Sequence, residues 1–303
     1  MNIAILSNGP GNYSTKRLFE ECAARGHDVR IIKYRDCYTS IERGDPKVLH
    51  QGEELTGIDV VIPRIANGWT RYGSAIVRQF EMQGVYTLTS SIALVRSRDK
   101  LRSMQLLARA GVGIPKTVVT RSAADTEDLI DQVGGTPVII KLARGTHGNG
   151  VVLAETKKAA KSVLQAFYVM DEDGTNILLQ EFVKESAGTD IRAFVVGGKV
   201  VASMKRQSLD DDFRSNLHQG GSGVAIKLTD EERRTAIRAA KSMGLAVCGV
   251  DMMRSDKGPL VLEVNASPGF GIEKVTNRDI AAKIVDYIEL NAKGKRRRDR
   301  VGA

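Results

Sequence analysis

The sequence predicts a chain of mixed class, in which an open parallel α/β domain is followed by two α+β units. Three observations support this prediction. In the first third, apolar strand patterns alternate with helical patterns, which is typical of a parallel sheet. In the middle third, a glycine-rich loop lies between two apolar strands. In the last third, two pairs of β-rich runs are joined by short glycine-containing turns, which indicates antiparallel hairpins.

The composition indicates a soluble globular chain long enough for two or three domains of about 100–200 residues each. Of its 303 residues, 42% are hydrophobic and 27% charged, as in ordinary packed domains. No apolar run approaches the roughly 20 residues needed to span a bilayer, and residues 1–6 resemble a strand rather than a signal peptide. Cys22, Cys37 and Cys248 are too few and too scattered for a disulfide framework or a zinc site. A cytoplasmic protein without membrane contact is predicted.

The first domain, residues 1–95, is predicted to form the open parallel sheet. A polar turn at residues 7–12 follows the first strand, and the two helical patterns end near Gly26 and Gly84, as helices often do at glycine. The predicted elements are buried strands at Ile3–Leu6, Val29–Ile32 and Val60–Ile62, and helices at Ser14–Ala24 and Tyr72–Met82.

The second unit, residues 96–182, is predicted to be entered through one long helix, Ser91–Ala110, that ends at Gly111. Beyond it the periodicity alternates between that of strands and that of helices. The predicted strands are Thr117–Val119, Pro137–Leu142, Val151–Leu153 and Ile177–Glu181, and the predicted helices are Thr126–Val133 and Lys157–Phe167.

The third unit, residues 183–290, is predicted to contain two hairpins, each followed by a helix. The first hairpin turns at Gly197-Gly198, and the second turns between Ser255 and Gly258. The predicted strand pairs are Ile191–Val196 with Lys199–Met204 and Val247–Met253 with Leu260–Val264, and the predicted helices are Asp230–Met243 and Asp279–Glu289.

The last segment, residues 291–303, is a basic tail. Residues 293–303 hold six Lys or Arg and one Asp, so they contribute +5 of the net charge of +9 and leave +4 for the rest of the chain. Without apolar periodicity such a tail is expected to be disordered. It is interpreted either as an electrostatic arm that contacts RNA or the ribosome, or as a plain solvated tail.

An acidic group on the second hairpin predicts a metal site. Asp251 lies on one strand and Glu263 and Asn265 on the other, and residues two apart on a strand point to the same face. Strand pairing can bring Asp251 beside them, and two carboxylates with an amide oxygen are the hard ligands that Mg²⁺ prefers. The alternative is the wet face of an ordinary hairpin. The metal site is favoured because both acids interrupt apolar runs, where facing carboxylates without a cation would be costly.

The glycine-rich loop at residues 144–150 predicts a phosphate site. Its glycines, among them Gly148, let backbone N–H groups approach phosphate oxygens closely. The preceding strand presents Lys141, which adds a point charge. The loop does not have the Gly-Lys-Ser/Thr pattern of a Walker A motif. A plain flexible turn is the alternative, but Lys141 and the acidic hairpin together favour bound nucleotide.

Basic residues near turns form a third group. Arg192 is placed on the first hairpin, Arg206 just after it, and Arg214 before His218. Arginine forks suit phosphate or carboxylate oxygens, so Arg206 and Arg214 are predicted to stabilise charge at a reacting centre. Taken alone, each arginine is more often a surface charge, and a single histidine such as His218 is more often structural than catalytic. Glu181, at a strand end, either accepts from a nucleotide or is a surface acid.

Several runs of residues together resemble the ATP-grasp superfamily, and more closely its RimK family of glutamate ligases. The likeness covers nearly the whole chain except the tail, and differs at His147 and in a shorter stretch after Pro268. It is carried by the runs Val61–Arg64, Arg78–Glu81, Ser97–Ala108, Asp212–His218 and Glu263–Gly269.

The resemblance implies an ATP-grasp fold with ATP held between the second and third units. It implies that two Mg²⁺ or Mn²⁺ ions are held by Asp251, Glu263 and Asn265. The residues implied to contact the nucleotide are Lys100, Lys141, Glu181, Phe182, Asp190, Arg214, Ser215 and Asn216.

The resemblance also implies a reaction of the acid–amino-acid ligase type (EC 6.3.2). L-Glutamate would be added to the C-terminus of small-subunit ribosomal protein six through an acyl phosphate, with ADP and phosphate as products. Two alternatives stay open. One is a ligase of the same superfamily that acts on a small-molecule cofactor or on free glutamate, and the other is a nucleotide-dependent RNA- or ribosome-binding module. A homo-oligomer, dimer or tetramer, is expected because such assemblies are common among soluble enzymes.

Overall fold

The first unit is built on a parallel sheet of four strands in the order β2-β1-β6-β7. The computed structural model describes residues 1–142, 150–170, 176–186, 188–208 and 222–292. As predicted, β1 pairs in parallel with two neighbours, β2 and β6. The elements of this unit are β1 (Asn2–Leu6), α1 (Tyr13–Ala24), β2 (Asp28–Ile32), β3 (Cys37–Ser40), β4 (Lys47–His50), β5 (Glu53–Glu54), β6 (Val60–Pro63), α2 (Thr70–Met82) and β7 (Tyr86–Thr87).

The place of each strand in this sheet determines its burial. Strand β1 is internal, so Ile5 packs in one core and Leu6 in another on the opposite face, as expected for a parallel sheet covered on both faces. The prediction that Val29–Ile32 is a buried strand is wrong in part. Strand β2 is at the sheet edge, and only Ile32 is buried while Arg30 is exposed.

A small antiparallel sheet, β3-β4-β5, lies beside this parallel sheet and packs against α2. It is not among the predicted elements. Its strands have two to four residues, which is too short for a period-2 pattern to be recognised. The turn signal Gly44-Asp45-Pro46 between β3 and β4 is its clearest mark in the sequence.

The prediction of one helix over Ser91–Ala110 is wrong, because the structure has two helices, α3 (Ser91–Arg98) and α4 (Lys100–Arg109). Between them Asp99 is extended, with φ −86° and ψ 102°. Its carboxylate accepts a hydrogen bond from the Arg102 backbone N–H at 3.0 Å. Asp is a preferred N-cap residue, so the break is stabilised by a local bond.

The middle unit is an antiparallel sheet in the order β10-β9-β11-β8 with helices on one face. Val138, Ile140 and Leu179 belong to a core whose residues all come from this unit. The strands and helices agree with prediction to within a few residues. They are β8 (Thr117–Thr120), α5 (Thr126–Gln132), β9 (Val138–Leu142), β10 (Val151–Ala154), α6 (Lys157–Met170) and β11 (Ile177–Glu181).

The last unit is an antiparallel sheet in the order β14-β13-β12-β15-β16. Both predicted hairpins and the helix over Asp230–Met243 are confirmed, whereas β14 and α8 are additional. Thr229 and Glu232 form a capping box at the start of α7. The elements are β12 (Thr189–Val196), β13 (Lys199–Gln207), β14 (Ser222–Ala225), α7 (Asp230–Met243), β15 (Val247–Ser255), β16 (Gly258–Asn265), α8 (Gly271–Thr276) and α9 (Ile280–Asn291).

The first and last units share their cores. One apolar cluster joins Leu6 to Val250, and a second joins Ile5 to Phe194. These two units therefore form a body, to which the middle unit with its own core is attached. At one attachment the Gly113 carbonyl accepts a hydrogen bond from the Val261 N–H at 2.7 Å. No helix of the described residues is long and apolar enough to cross a membrane.

Candidate active site

The three predicted metal ligands converge on the face of the last sheet opposite α7. The β15–β16 register places Asp251 directly across from Glu263, which confirms the predicted pairing. The Asn265 side-chain amide lies between both carboxylates, with Nδ2 2.9 Å from Glu263 Oε1 and 3.5 Å from Asp251 Oδ2. Asp251 is buried whereas Glu263 is exposed.

Asp251 is held by two arginines from neighbouring strands. Arg192, its register partner on β12, donates through Nε and Nη2 at 2.6 and 2.5 Å. Arg206 Nη2 lies 3.0 Å from Asp251 Oδ2. Burial alone would raise the pKa of Asp251, but the two guanidinium charges outweigh it and hold the pKa below its usual range. The carboxylate is therefore ionised throughout the neutral range.

Arg206 lies inside the hairpin and not after it, because β13 continues beyond the predicted end at Met204. It is buried and forms a fork to Asp190, with both nitrogen–oxygen distances at 2.5 Å. Burial would lower its pKa, but Asp251 and Asp190 raise it above the ordinary arginine value. The Asp190 oxygens thus contact a guanidinium, and Arg206 links two carboxylates.

The donor set fits a hard cation. Among the described residues, no group of three or more His, Cys, Asp or Glu could hold a metal, so an ion here would depend on Asp251, Glu263 and an amide oxygen. A rotation of the Asn265 amide by half a turn would place Oδ1 where Nδ2 now contacts both carboxylates, and the two orientations of an amide have nearly the same shape. The three side chains can therefore present oxygen atoms to one point.

Opposite Glu263, lysines approach from the middle unit and from α4. Burial lowers the pKa of Lys141, on β9, to about 8, with Glu263 opposing the shift and Lys100 adding to it. Burial also lowers the pKa of Lys100, and Glu263 again opposes. Lys100 Nζ donates to the Leu142 carbonyl at 3.1 Å. Two ammonium groups therefore lie within electrostatic range of the acidic hairpin, as expected for a polyanionic ligand.

The break at Asp99 allows the side chains of Arg98 and Lys100 to lie within electrostatic range of the same carboxylate, that of Glu263. In a continuous helix Arg98 and Lys100 would lie about 200° apart, at 100° per residue. In the structure both side chains interact electrostatically with Glu263. Arg98 is not among the predicted site residues, and Arg192 is predicted only as one of the basic residues near turns, without a named partner. Arg98 does lie in a run that carries the family resemblance, and Arg192 lies two residues from Asp190.

Glu181 is at the end of β11, where the chain enters and leaves the middle unit. Its Oε1 accepts from the Lys116 backbone N–H at 3.0 Å, and Oε2 is 3.4 Å from Lys257 Nζ. Phe182 follows it and is half-buried. Glu181 therefore links the chain segment that enters the middle unit to the segment that leaves it, and both to Lys257 of the body. The predicted nucleotide contacts of Glu181 and Phe182 are separate from these contacts.

The remaining predicted residues lie outside the described part of the chain. The glycine-loop residues are flanked by the paired strands β9 and β10. The run at 212–218 is flanked by β13 and β14, which place Arg206 across from Gly223. The predictions that lie outside the described residues are those for Gly148, Arg214, Ser215 and Asn216, together with His147, His218 and the tail.

Comparison with known proteins identifies two family domains and many curated relatives. Residues 97–288 match the RimK-like ATP-grasp domain, and residues 1–94 match the RimK PreATP-grasp domain. Proteins named probable alpha-L-glutamate ligase are similar over nearly the whole chain. One from Maridesulfovibrio salexigens is 57% identical over 96% of both chains, one from Hydrogenovibrio crunogenus 58% over 97% of both, and one from Vibrio cholerae 56% over 99% of both.

Solved structures with the same fold are more distant in sequence. The ATP-grasp ligase PsnB, in complex with a phosphomimetic variant of its minimal precursor, Mg and ADP, matches with a TM-score of 0.73 and 21% identity over 96% of this chain and 98% of PsnB. A RimK domain ATP-grasp protein from Sphaerobacter thermophilus matches with a TM-score of 0.70 and 18% identity over 95% and 99%. The fold is therefore the ATP-grasp fold, as predicted.

Proposed function

The chain belongs to the RimK family of ATP-grasp proteins, and from this membership we propose that it is an ATP-dependent ligase that joins the amine of L-glutamate to a carboxylate. One observation carries the proposal. The ammonium groups of Lys100 and Lys141 lie within electrostatic range of Glu263 on the acidic hairpin, although they come from different units. Such an arrangement supports a metal–nucleotide complex between the middle and last units.

Each group has a distinct task in this proposal. Lys141 and Lys100 bind nucleotide phosphates, and Asp251, Glu263 and Asn265 hold the cation, Mg²⁺ or Mn²⁺, as one or two ions. When bound, the cation supplies positive charge that neutralises the phosphates during transfer. The cofactor-binding assignments of Gly148, Glu181, Phe182, Asp190, Ser215 and Asn216 remain predictions.

The chemistry follows from the poor reactivity of a carboxylate. An oxygen of the acceptor carboxylate attacks the γ-phosphorus of ATP, the bond to the β-phosphate oxygen breaks, and ADP leaves. The neutral amine of glutamate then attacks the acyl carbon, and phosphate leaves with that oxygen as the amide forms. The proton lost by the amine passes to solvent. No enzyme nucleophile is required, so the side chains contribute positioning and charge stabilisation.

Arg206 is best assigned as a positioning residue. It is buried and reaches Asp251 and Asp190, so it acts on the reaction through the orientation of these carboxylates. Arg192 has the same relation to Asp251. The predicted catalytic role in direct contact with the reacting groups then rests on Arg214.

The acceptor is proposed to be the C-terminal carboxylate of a ribosomal protein, small-subunit protein six, reached in the cytoplasm by an enzyme that assembles as a dimer or tetramer. The basic tail supports this choice, since it carries +5 of charge that could contact ribosomal RNA. A small-molecule acceptor, free glutamate, and a binding module without ligase chemistry are the competing outcomes.

A product assay separates these outcomes. The full chain is incubated with ATP, Mg²⁺ and L-glutamate, with and without ribosomal protein six, and the products are weighed by mass spectrometry while ADP is measured. Glutamyl additions to the ribosomal protein are expected. Glutamate chains without the protein would identify the free amino acid as acceptor. Nucleotide binding without glutamate-dependent ADP release in any mixture would contradict both the ribosomal-protein acceptor and the free-glutamate acceptor.

A further inference from the structure

Among the described residues, two arginines at the carboxyl edge of the parallel sheet donate hydrogen bonds only to uncharged groups. Arg64, directly after β6, donates through Nη2 to Ser14 Oγ at 2.9 Å and to the Pro268 carbonyl at 2.8 Å. Arg98, the last residue of α3, donates through Nη2 to the Ile65 carbonyl at 2.8 Å. Both side chains are held in place without loss of their charge.

Among the described residues, no carboxylate oxygen lies within ion-pair distance of either guanidinium. Burial and, second, the like charge of Arg98 lower the pKa of Arg64 to about 10. Burial also lowers the pKa of Arg98, although Glu263 and Tyr34 oppose this. Two partly buried cations that repel each other would be stabilised by an anion placed between them.

A hydroxyl group adjacent in sequence to the carbonyl that binds Arg64 also lacks a partner among the described residues. Ser267 Oγ is buried and makes no hydrogen bond to the described part of the chain, and Ser267 directly precedes Pro268, whose carbonyl accepts from Arg64. Buried hydroxyls without a partner are uncommon and point to a missing ligand or water. The loop that carries Ser267 leaves β16 just after Asn265, so it connects this pair to the metal hairpin. In open α/β sheets the crevice at the carboxyl ends of the strands is the usual place for ligands.

We propose that Arg64 and Arg98, with Ser267, bind a carboxylate of the incoming L-glutamate that does not take part in the reaction. The proposal rests on the proposed ligase function and names the substrate contact of the same site. Arginine forks match carboxylates in shape and charge. The acceptor carboxylate fits this pair less well, because it loses its charge on phosphorylation and a fixed cationic pair would stabilise its ground state more than its transition state. The carboxylates of glutamate keep their charge throughout.

Equilibrium binding tests the proposal independently of turnover. L-Glutamate is titrated calorimetrically into the full chain with saturating Mg²⁺ and a non-hydrolysable ATP analogue, for the wild type, Arg64→Gln, Arg98→Gln and the control Arg30→Gln, an exposed arginine of the same unit. Loss of one charged hydrogen-bond partner should weaken glutamate binding about 10–100-fold in the first two variants and leave the control unchanged. Affinity for the ATP analogue should change less than about twofold.

Substrate analogues and conservative variants complete the test. L-Glutamine lacks the side-chain carboxylate, and isoglutamine lacks the α-carboxylate. The analogue without the bound carboxylate should bind the wild type weakly, and its affinity should not fall further in the arginine variants. That analogue therefore identifies which carboxylate the arginines bind. Arg64→Lys and Arg98→Lys keep the charge and should recover part of the affinity for glutamate. They also provide the test if a glutamine variant fails to fold. Wild-type affinity in both variants, weakened binding of the ATP analogue instead, or a wild type that does not bind glutamate would overturn the proposal. Glutamate-dependent ADP release by the wild type separately reports the ligase function.

Discussion

At the scale of single residues, the site is defined by charges that compensate one another across strands. The alternation along β16 predicts that Glu263 and Asn265 share a face, and the structure agrees. The fork from Arg192 to Asp251 is different, because it depends on a register between strands 59 residues apart. Local patterns do not determine such a register. The sequence therefore predicts the ligand types, whereas the ion pairs that orient them come from the tertiary fold.

Lys141 gives a pH dependence at this scale. Its pKa is lowered to about 8, chiefly by burial, so the ammonium loses its proton as the pH rises through 8 and its attraction for nucleotide phosphates is lost. The kcat/KM for ATP, which reports the free enzyme, should therefore fall above about pH 8. Lys141→Arg should move this fall to higher pH, because arginine stays charged. If kcat/KM for ATP still falls near pH 8 in Lys141→Arg, the titrating group is not Lys141.

At the scale of elements, the break between α3 and α4 matters most. Helical periodicity continues through Asp99 and favours one helix, so apolar pattern alone misses the break. The residue type does indicate the break, since Asp is a preferred N-cap residue. Asp99 also has a basic residue on each side, Arg98 before it and Lys100 after it. The small sheet β3-β4-β5 escapes prediction for another reason, namely that its strands are too short for their period to be seen.

Two cap deletions separate stability from function. Asp99→Ala and Thr229→Ala each remove a side chain that accepts from a backbone N–H at the start of a helix, so each should lower the free energy of unfolding by about 0.5–2 kcal/mol. Only Asp99→Ala should also raise the KM for ATP several-fold, because Lys100 is the next residue. Urea unfolding and steady-state kinetics measure the two effects. Equal KM values in the two variants would mean that the break does not position Lys100.

At the scale of the whole molecule, the chain is a body with a separately cored middle unit. Strand–helix alternation and glycine turns predict all three units, but the sharing of two cores between the first and last units is not visible in local patterns. Those contacts join residues such as Leu6 and Val250, which are far apart in the chain. At Gly113 the chain passes close to the body, since an added Cβ would lie 2.6 Å from the Pro259 carbonyl oxygen.

Matched core deletions test this division. Leu179→Ala removes a buried side chain from the middle-unit core, and Leu107→Ala removes one from a body core. Each should destabilise its own core by about 2–5 kcal/mol. Hydrogen exchange should accelerate within residues 117–181 in Leu179→Ala, and in both the first and last units in Leu107→Ala. Uniform acceleration in both variants would show that the chain unfolds as one cooperative unit.

The most direct test of the central claim is glutamate-dependent ADP release by Glu263→Gln compared with the wild type. Glu263 is exposed, so the variant should fold normally, and circular dichroism provides that control. The loss of one preorganised charge at the site is expected to lower the rate about 100–1,000-fold. A folded Glu263→Gln variant that retains activity within about tenfold of the wild type would contradict the assignment of this hairpin as the metal–nucleotide site.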